Sequence, residues 1–480
     1  MELRPVVFVA GILLSVLAVA MMIPAVVDAA AGHPDWQVFA ASSAIALFLS
    51  VSMVLTTRSG FLTFTLRQAF VMTNLSWLMI ATVGALPFAF SDLNMSFTDA
   101  FFESMSGVTT TGSTVIVGLD NAPPGILLWR AILQWLGGIG IIVMAVAILP
   151  ILQVGGMQMF RVEAFDTDKV LPKAAQIAAE ISIVYVSLTV FAAIWLWSLG
   201  LSGFDAIAHA MTSIATGGFS TYDASVGQFD SSAVDWSISL FMLLGSLPFV
   251  LYLRAVRGNF RSLINDAQVR GLMALVVLAI LATAGWVVAQ GIMDIPAALR
   301  YSTFNVISII TGTGYSTADF GQWGGFVVIL FFMLMCVGGC AGSTTCGIKI
   351  FRFQVLYATA KTQLLRLMQP HGIFFPYYNR KPLAEGVAES VMGFFFLFAV
   401  SFALLAIGLS MFGLDYITAM SGAATAIANV GPGFGEVIGP SGTFAPLPDG
   451  AKWLMSAGML LGRLELFTVL VLLTPAFWRG

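Results

Sequence analysis

Ten apolar runs, each close to the length a helix needs to cross a bilayer, fix the solvent in which this chain folds. They lie at 6–27, 36–56, 68–90, 126–153, 174–199, 234–253, 271–290, 325–340 with its continuation, 386–412 and 451–477. A crossing helix takes about 20 mainly apolar residues. The first run precedes Ala29-Ala30-Ala31 and superficially resembles a secretory signal. An ordinary signal core holds only roughly 7–15 apolar residues, so run 6–27 reads as a retained span. Composition agrees, because 59% of the 480 residues are hydrophobic and 9% are charged, against about a quarter charged in soluble proteins. That balance excludes a water-soluble enzyme, a nucleic-acid binder and a secreted disulfide scaffold. A net charge of −3 calls for no polyanionic partner, so membrane lipid is the expected surrounding and nucleic acid is not a partner.

The basic residues orient the spans. Fifteen of the 21 lysines and arginines fall in the alternate connections 57–67, 154–173, 254–270 and 349–385, which the positive-inside rule makes cytoplasmic together with Arg4. On the other side Arg130, Arg300 and Lys452 stand at span entrances. The outer connections are acidic, with Asp92, Asp99, Glu103, Asp120, Asp205, Asp223, Asp230, Asp235, Asp294, Asp319, Asp415, Glu436 and Asp449. Such a face concentrates cations, and it is also what an ordinary solvated surface looks like. The three cysteines, Cys336, Cys340 and Cys346, have no histidine or carboxylate nearby in sequence and read as small buried residues rather than a metal site or disulfide framework.

An internal repeat carries the function. Four outer connections each hold a short amphipathic segment followed by a loop rich in glycine. Phe97-Thr98-Asp99-Ala100 leads to Val108-Thr109-Thr110-Thr111-Gly112-Ser113, and Phe204-Asp205-Ala206 to Ile214-Ala215-Thr216-Gly217-Gly218-Phe219. Asp294-Ile295-Pro296-Ala297 leads to Ile310-Thr311-Gly312-Thr313-Gly314-Tyr315, and Leu414-Asp415-Tyr416 to Ala428-Asn429-Val430-Gly431-Pro432-Gly433. Gly112, Gly218, Gly314 and Gly431 then recur at intervals of 106, 96 and 117 residues. A short helix of about ten residues is about 15 Å long, half the hydrocarbon thickness, so it must enter and return. Irregular backbone at that depth survives only where protein buries it or water reaches it. Four such units around one axis line a central aqueous path.

The loops suit a monovalent cation. Main-chain carbonyls replace its hydration shell, and glycine lets the chain turn them inward. The loop cores contain no Asp or Glu, and each preceding helix points its negative dipole end at the loop. Asp99, Asp205, Asp294 and Asp415, near the other helix ends, read as caps rather than ligands. His209 reads as a packed side chain rather than a ligand or proton carrier.

At these residues the chain resembles the Trk/Ktr/HKT superfamily of potassium transporters, in particular its bacterial Trk-type potassium uptake membrane subunit. Thr-Thr-Thr-Gly-Ser (109–113), Ala-Thr-Gly-Gly-Phe-Ser-Thr (215–221), Thr-Gly-Thr-Gly-Tyr-Ser-Thr (311–317) and Asn-Val-Gly-Pro-Gly (429–433) look like its four filter loops. The likeness covers nearly the whole chain and implies four fused span–pore-helix–span repeats around one pseudo-fourfold pore, after two extra leading spans. Plant relatives that prefer sodium tend to have serine at the first-loop glycine, so Gly112 favours potassium by resemblance.

Two further features lie on the inward side of the loops. Gly338-Gly339-Cys340-Ala341-Gly342-Ser343-Thr344-Thr345-Cys346-Gly347 interrupts the second span of the third repeat. Four glycines in ten residues weaken or break a helix, which at membrane depth implies a protein-lined or wet cavity; a tight crossing built on small residues is the alternative. The resemblance implies an intramembrane gating loop, with Thr345-Cys346 standing where relatives usually carry more glycine. Arg463 is the only arginine deep inside a span, and intramembrane charge points to function. Glu465, two residues on, faces elsewhere on a helix and pairs with it poorly. A structural ion pair to another helix is the plainer account of Arg463; the resemblance implies that it projects into the pore beneath the filter.

The expected organisation is therefore all-α: leading helices 1–60, then pore repeats 61–155, 156–256, 257–368 (with the gating loop) and 369–480. The expected activity is potassium uptake across the bacterial inner membrane, with K+ as the transported ion and no covalent cofactor. No Gly-x4-Gly-Lys-Ser/Thr loop occurs, so nucleotide control falls to a partner. The resemblance implies a homodimer and a cytoplasmic ring of nucleotide- and NAD-binding regulatory subunits. The basic cytoplasmic loops, including Arg366 to Lys381, offer docking surfaces for such a ring, and solvated positive-inside loops are the simpler account of them. Two alternatives are a carrier coupled to protons or sodium and, more remotely, an intramembrane enzyme. A carrier would break its helices in paired, inverted positions, whereas these loops recur four times in parallel order. An enzyme would need a His/Asp/Glu/Cys set that these spans lack.

Overall fold

The computed structural model describes residues 2–57, 65–145, 155–157 and 170–479, with side chains of the fifth span from residue 176. The end of predicted run 126–153, the boundary at 60/61 and the basic residues Arg58, Arg161 and Lys169 lie outside the described residues. Seven helices are long and apolar enough to cross a membrane: Arg4–Ala31, Trp36–Thr57, Leu66–Phe90, Pro124–Val143, Gln176–Ser198, Ala267–Ala289 and Val387–Met411. Two helix pairs are apolar enough together but sharply bent between their halves, Ser232–Ser246 with Phe249–Val256 at 95° and Asp449–Arg463 with Phe467–Leu473 at 108°. The remaining predicted span is a 13-residue helix, Gly325–Val337, separated by coil from Ile350–Met368.

The breaks correct the expectation of one interrupted span: the second spans of the second, third and fourth units all fail as continuous helices. Pro248 supplies no N–H and ends the first of them. Gly338, at φ 72°, leaves helical space in the next, and Glu465 and Leu466 do so in the last at φ 63° and 50°. One small β-hairpin also departs from the all-α expectation. Tyr377 and Tyr378 pair with Pro382 and Lys381 across Asn379 and Arg380, which take φ 47° and 64° as a type I′ turn requires.

The two leading helices pack as a close antiparallel pair. Ser43 and Ser50 donate to the carbonyls of Ala18 (2.7 Å) and Gly11 (2.8 Å), and Gly11 gives Val54 and Ser50 room to approach. Small residues and side-chain hydroxyls hold helices together where the lipid is as apolar as the protein.

Four half-length helices, Phe97–Val108, Gly203–Ile214, Ile295–Ile310 and Tyr416–Ala428, lie between the spans of their units. Their starts correct part of the capping expectation. Asp294 and Asp415 are caps, accepting N–H groups of Ala297 and of Ile417 and Thr418. Asp99 and Asp205 instead sit in the first turn, and Ser96 and Ser202 cap the helices by accepting their N–H groups at 3.1 and 3.0 Å. All four carboxylates still lie at the positive pole.

Candidate ion pathway

The four helices end with the same backbone turn. Thr110, Thr216, Gly312 and Asn429, equivalent by position, take φ 53°, 49°, 75° and 53°. Two residues later Gly112, Gly218 and Gly314 are again positive, at 89°, 79° and 84°; Gly431 is not. Asparagine tolerates this region and glycine occupies it freely, but a β-branched threonine there is a true outlier. Hydroxyl bonds surround both exceptions. Thr109 and Thr111 share a 2.8 Å contact that Thr311 and Thr313 repeat, and Thr216 bonds Thr344 at 2.9 Å.

The loops meet each other in a closed ring. A Cβ on Gly112 would strike the Gly217 carbonyl oxygen of the second loop and lie 3.4 Å from both the Thr313 oxygen of the third and Gly431 of the fourth. Gly218 faces the Thr313 carbonyl, Gly314 faces Gly431 and Pro432, and Gly431 faces Thr111 and Gly112. Asn429 donates to Thr111 Oγ1 (3.0 Å) and Ser113 to the Gly431 carbonyl (2.9 Å), which closes first loop to fourth. Ala215 and Val430 are buried as well. Among the described residues no N–H or O–H group donates to the main-chain oxygens of Thr111, Thr216, Gly312 or Val430.

Several supports were not legible from the loops alone. Gln134 donates to the Gly217 carbonyl (2.6 Å) and accepts from the Phe219 N–H (3.0 Å), fixing the second loop from the first unit. Arg130, expected only at a span entrance, is fully buried. It donates to Glu103 (2.8 Å) and the Ser220 carbonyl (2.7 Å), with its guanidinium 4.0 Å above the Phe219 ring. Glu103, read as part of an outer acidic face, also accepts from Val115 N–H and Thr114 Oγ1. His209 spans Asp205 O (2.9 Å) and Ser220 Oγ (3.0 Å) as a packed side chain. Gly137, Gly245 and Gly462 each bring a second span against a carbonyl at the end of a half-length helix, those of Val108, Ile214 and Ile427. A side chain at any of the three would push span and helix apart.

Inward of the ring, 338–347 runs as buried coil between two helices. Cys340, Ser343, Thr344 and Thr345 are almost wholly inaccessible. The segment pairs with the break in the second unit: Cys340 N–H with Ser246 O (3.1 Å), Thr344 N–H with Gly245 O (3.2 Å), and Phe249 N–H with Gly342 O (2.9 Å). Gln268 accepts the Ala341 N–H at 2.8 Å. Gly338 and Gly347 lie back to back, because Ile348 and Lys349 return their N–H groups to Cys336 and Val337. Gly339 is pressed against Thr345 and Ser246, and its carbonyl takes the Ile350 N–H. Cys336, Cys340 and Cys346 are free thiols.

Arg463, the last residue before the fourth-unit break, reaches this segment. It donates to Thr344 O (3.0 Å), to Cys346 Sγ (3.0 Å) and, across the path, to Gly137 O (2.8 Å). Glu465 does not pair with it. Instead Glu465 takes Lys349 at 2.5 Å and Arg352 in a second ion pair, so two residues counted as cytoplasmic basic charge are buried and paired.

This chain matches the TrkH family model, described as cation transport protein, over residues 35–479. It is 49% identical to the Trk system potassium uptake protein TrkI of Halomonas elongata, across 99% of this chain and 97% of that one. It is 37% identical to the Trk system potassium uptake protein TrkH of Escherichia coli over the full length of both. The crystal structure of the potassium transporter TrkH from Vibrio parahaemolyticus superposes with a TM-score of 0.93 at 36% identity, covering all of both chains. These relatives are named as transport proteins, not enzymes, and sequence, fold and extent agree: the chain belongs to the TrkH family of cation transport proteins and is a multi-pass protein of the inner membrane.

Proposed function

We propose that the chain takes up potassium through the ring of four loops. Thr110, Thr111, Gly112, Ala215–Gly218, Thr311–Gly314 and Asn429–Gly431 form the filter, and the residue ranges 61–155, 156–256, 257–368 and 369–480 are its four repeats. The observation that carries this reading is the ring itself: four left-handed turns in mutual contact, in which the Gly217 and Gly431 carbonyls take side-chain donors while those of Thr111, Thr216, Gly312 and Val430 take none among the described residues. Such oxygens replace the hydration shell of a monovalent cation. The inside-negative potential then drives entry by about 2.3 kcal/mol per charge per 100 mV. The coil 338–347 is the gate, and Arg463 latches it to the first unit while its charge discourages long ion occupancy below the filter. The names of the similar proteins support potassium as the ion, and the repeat order favours a channel-like path over a coupled carrier. Control by a cytoplasmic ring of nucleotide- and NAD-binding subunits, and assembly as a homodimer, complete the proposal.

The test is ion flux into liposomes containing the purified chain, wild type beside Gly112→Ser. Gly112 has φ 89° and its Cβ position is filled by the Gly217 oxygen. A side chain there costs about 1–2 kcal/mol in backbone terms alone, so potassium-over-sodium preference is expected to fall about tenfold. An unchanged preference would refute the filter assignment.

A further inference from the structure

The outer end of the leading helical pair carries a side-chain group that the ion path does not use. Helix Arg4–Ala31 closes on Gly32, whose φ of 73° lets its own N–H meet Ala29 O (3.2 Å) while the His33 N–H meets Asp28 O (2.9 Å). Pro34 follows, and the turn brings His33 and Asp35 to Asp92, in the connection after the third span. One ligand atom from each of His33, Asp35 and Asp92 lies within 4.8 Å of the other two. Among the described residues this is the only such group of three or more His, Cys, Asp or Glu side chains.

His33 Nδ1 accepts the Asp35 N–H at 3.3 Å, and two carboxylates, Asp35 in the group and Asp28 beside it, are buried with one backbone donor each. The Asp35 side chain is 2% exposed, with His33 Nδ1 3.8 Å away. Its oxygens share a single donor, the Asp92 N–H, at 3.2 and 3.4 Å. Next to this turn Asp28 is fully buried. Its Oδ1 accepts the Gly125 N–H at 2.6 Å, but its Oδ2 has no partner. Buried charge is retained where a counter-charge or a metal meets it.

We propose that His33, Asp35 and Asp92 bind one divalent transition-metal ion of the zinc or manganese class, which clamps the leading pair to the first repeat. An imidazole with two carboxylates suits such an ion, whereas potassium, calcium and magnesium favour all-oxygen sites. Ligands about 2.1 Å from a tetrahedral metal stand about 3.4 Å apart, so the group must contract slightly on binding. Asp92 is exposed, His33 partly so and Asp35 buried, so the contraction falls to the side chains of Asp92 and His33. Asp92 precedes Ser96, the cap of the first half-length helix, by four residues, so occupancy would reach the filter through a short connection.

The test uses the purified chain in detergent, stripped by chelator, with zinc chloride and manganese chloride as separate probes. Metal retained per chain and apparent Kd are measured for wild type, His33→Ala, Asp92→Asn and, as a control on the fourth outer loop, Glu436→Gln. One equivalent of at least one metal in wild type and Glu436→Gln, with affinity reduced tenfold or more in the other two, is the expected result. A metal-induced rise in thermal midpoint should accompany it in wild type and vanish in His33→Ala. No retained metal in wild type, or equal affinity in all four proteins, would overturn the proposal.

Discussion

Arg463 and Glu465 stand two residues apart and serve different partners. The arginine holds the coil at Thr344 and the first unit at Gly137; the glutamate neutralises Lys349 and Arg352 where the coil ends. Removing one member of a buried ionic group leaves the rest uncompensated, at about 3–5 kcal/mol. Glu465→Gln is therefore expected to lower the thermal midpoint of the purified protein markedly, and an unchanged midpoint would mean that water reaches the site. Arg463→Ala is expected instead to raise potassium flux severalfold, because it unlatches the coil and removes a positive charge beneath the ring. A lower flux would assign Arg463 to conduction rather than restraint. In the sequence only Arg463 and Glu465 of this set stand out, as two charges of opposite sign in one apolar run. Lys349 and Arg352 read as solvated cytoplasmic charges because their partner lies 116 and 113 residues away, where no local pattern reports it.

The three broken second spans interlock as elements, and that is what gives the coil its place. The second-unit break supplies carbonyls to Cys340 and Thr344, and the fourth-unit break supplies Arg463 and Glu465. Thr344 is the hub: its hydroxyl contacts Thr216 of the loop ring and Gly245 O, each at 2.9 Å. Thr344→Val keeps the shape and loses those bonds. At about 1 kcal/mol for a hydrogen bond, roughly a fivefold change in the closed population follows, read as increased flux in liposomes. Combined with Arg463→Ala the effects should not add, since both act on one element. The half-length helices and the glycine coil were legible because length, glycine density and repetition are local properties. The other breaks were not. Leu247-Pro248 offers a single proline, and Glu465 and Leu466 adopt left-handed φ without any glycine to announce it. Tertiary contacts impose those conformations, as they impose the outliers Thr110 and Thr216.

For the whole molecule, orientation decides which side of the ring meets the cell interior. The basic bias that sets it survives the structure in reduced form, since Lys349 and Arg352 are buried while Arg254, Arg261, Arg270, Arg366 and Arg380 are exposed on the predicted cytoplasmic side. The opposite face loses three negative charges to pairing, Glu103 with Arg130, Asp235 with Arg300, and Asp99 with Lys452. A net acidic field nevertheless remains there to concentrate cations, and salt screens it. With this orientation the ring faces outward and the coil, Arg463 and the ionic group lie on its cytoplasmic side, which is where the proposed gate has to be for a cytoplasmic partner to reach it. Val117 and Leu367 report the two sides, being 66% and 78% exposed in connections predicted to be outer and inner. Val117→Cys should react with an impermeant maleimide on intact cells, and Leu367→Cys only after the membrane is opened. Of the native thiols Cys340 and Cys346 are buried and Cys336 is partly so, and the wild-type protein labelled in parallel sets the background. Reaction in the reverse order would invert the molecule, placing the coil outside and removing the argument that a cytoplasmic partner works it.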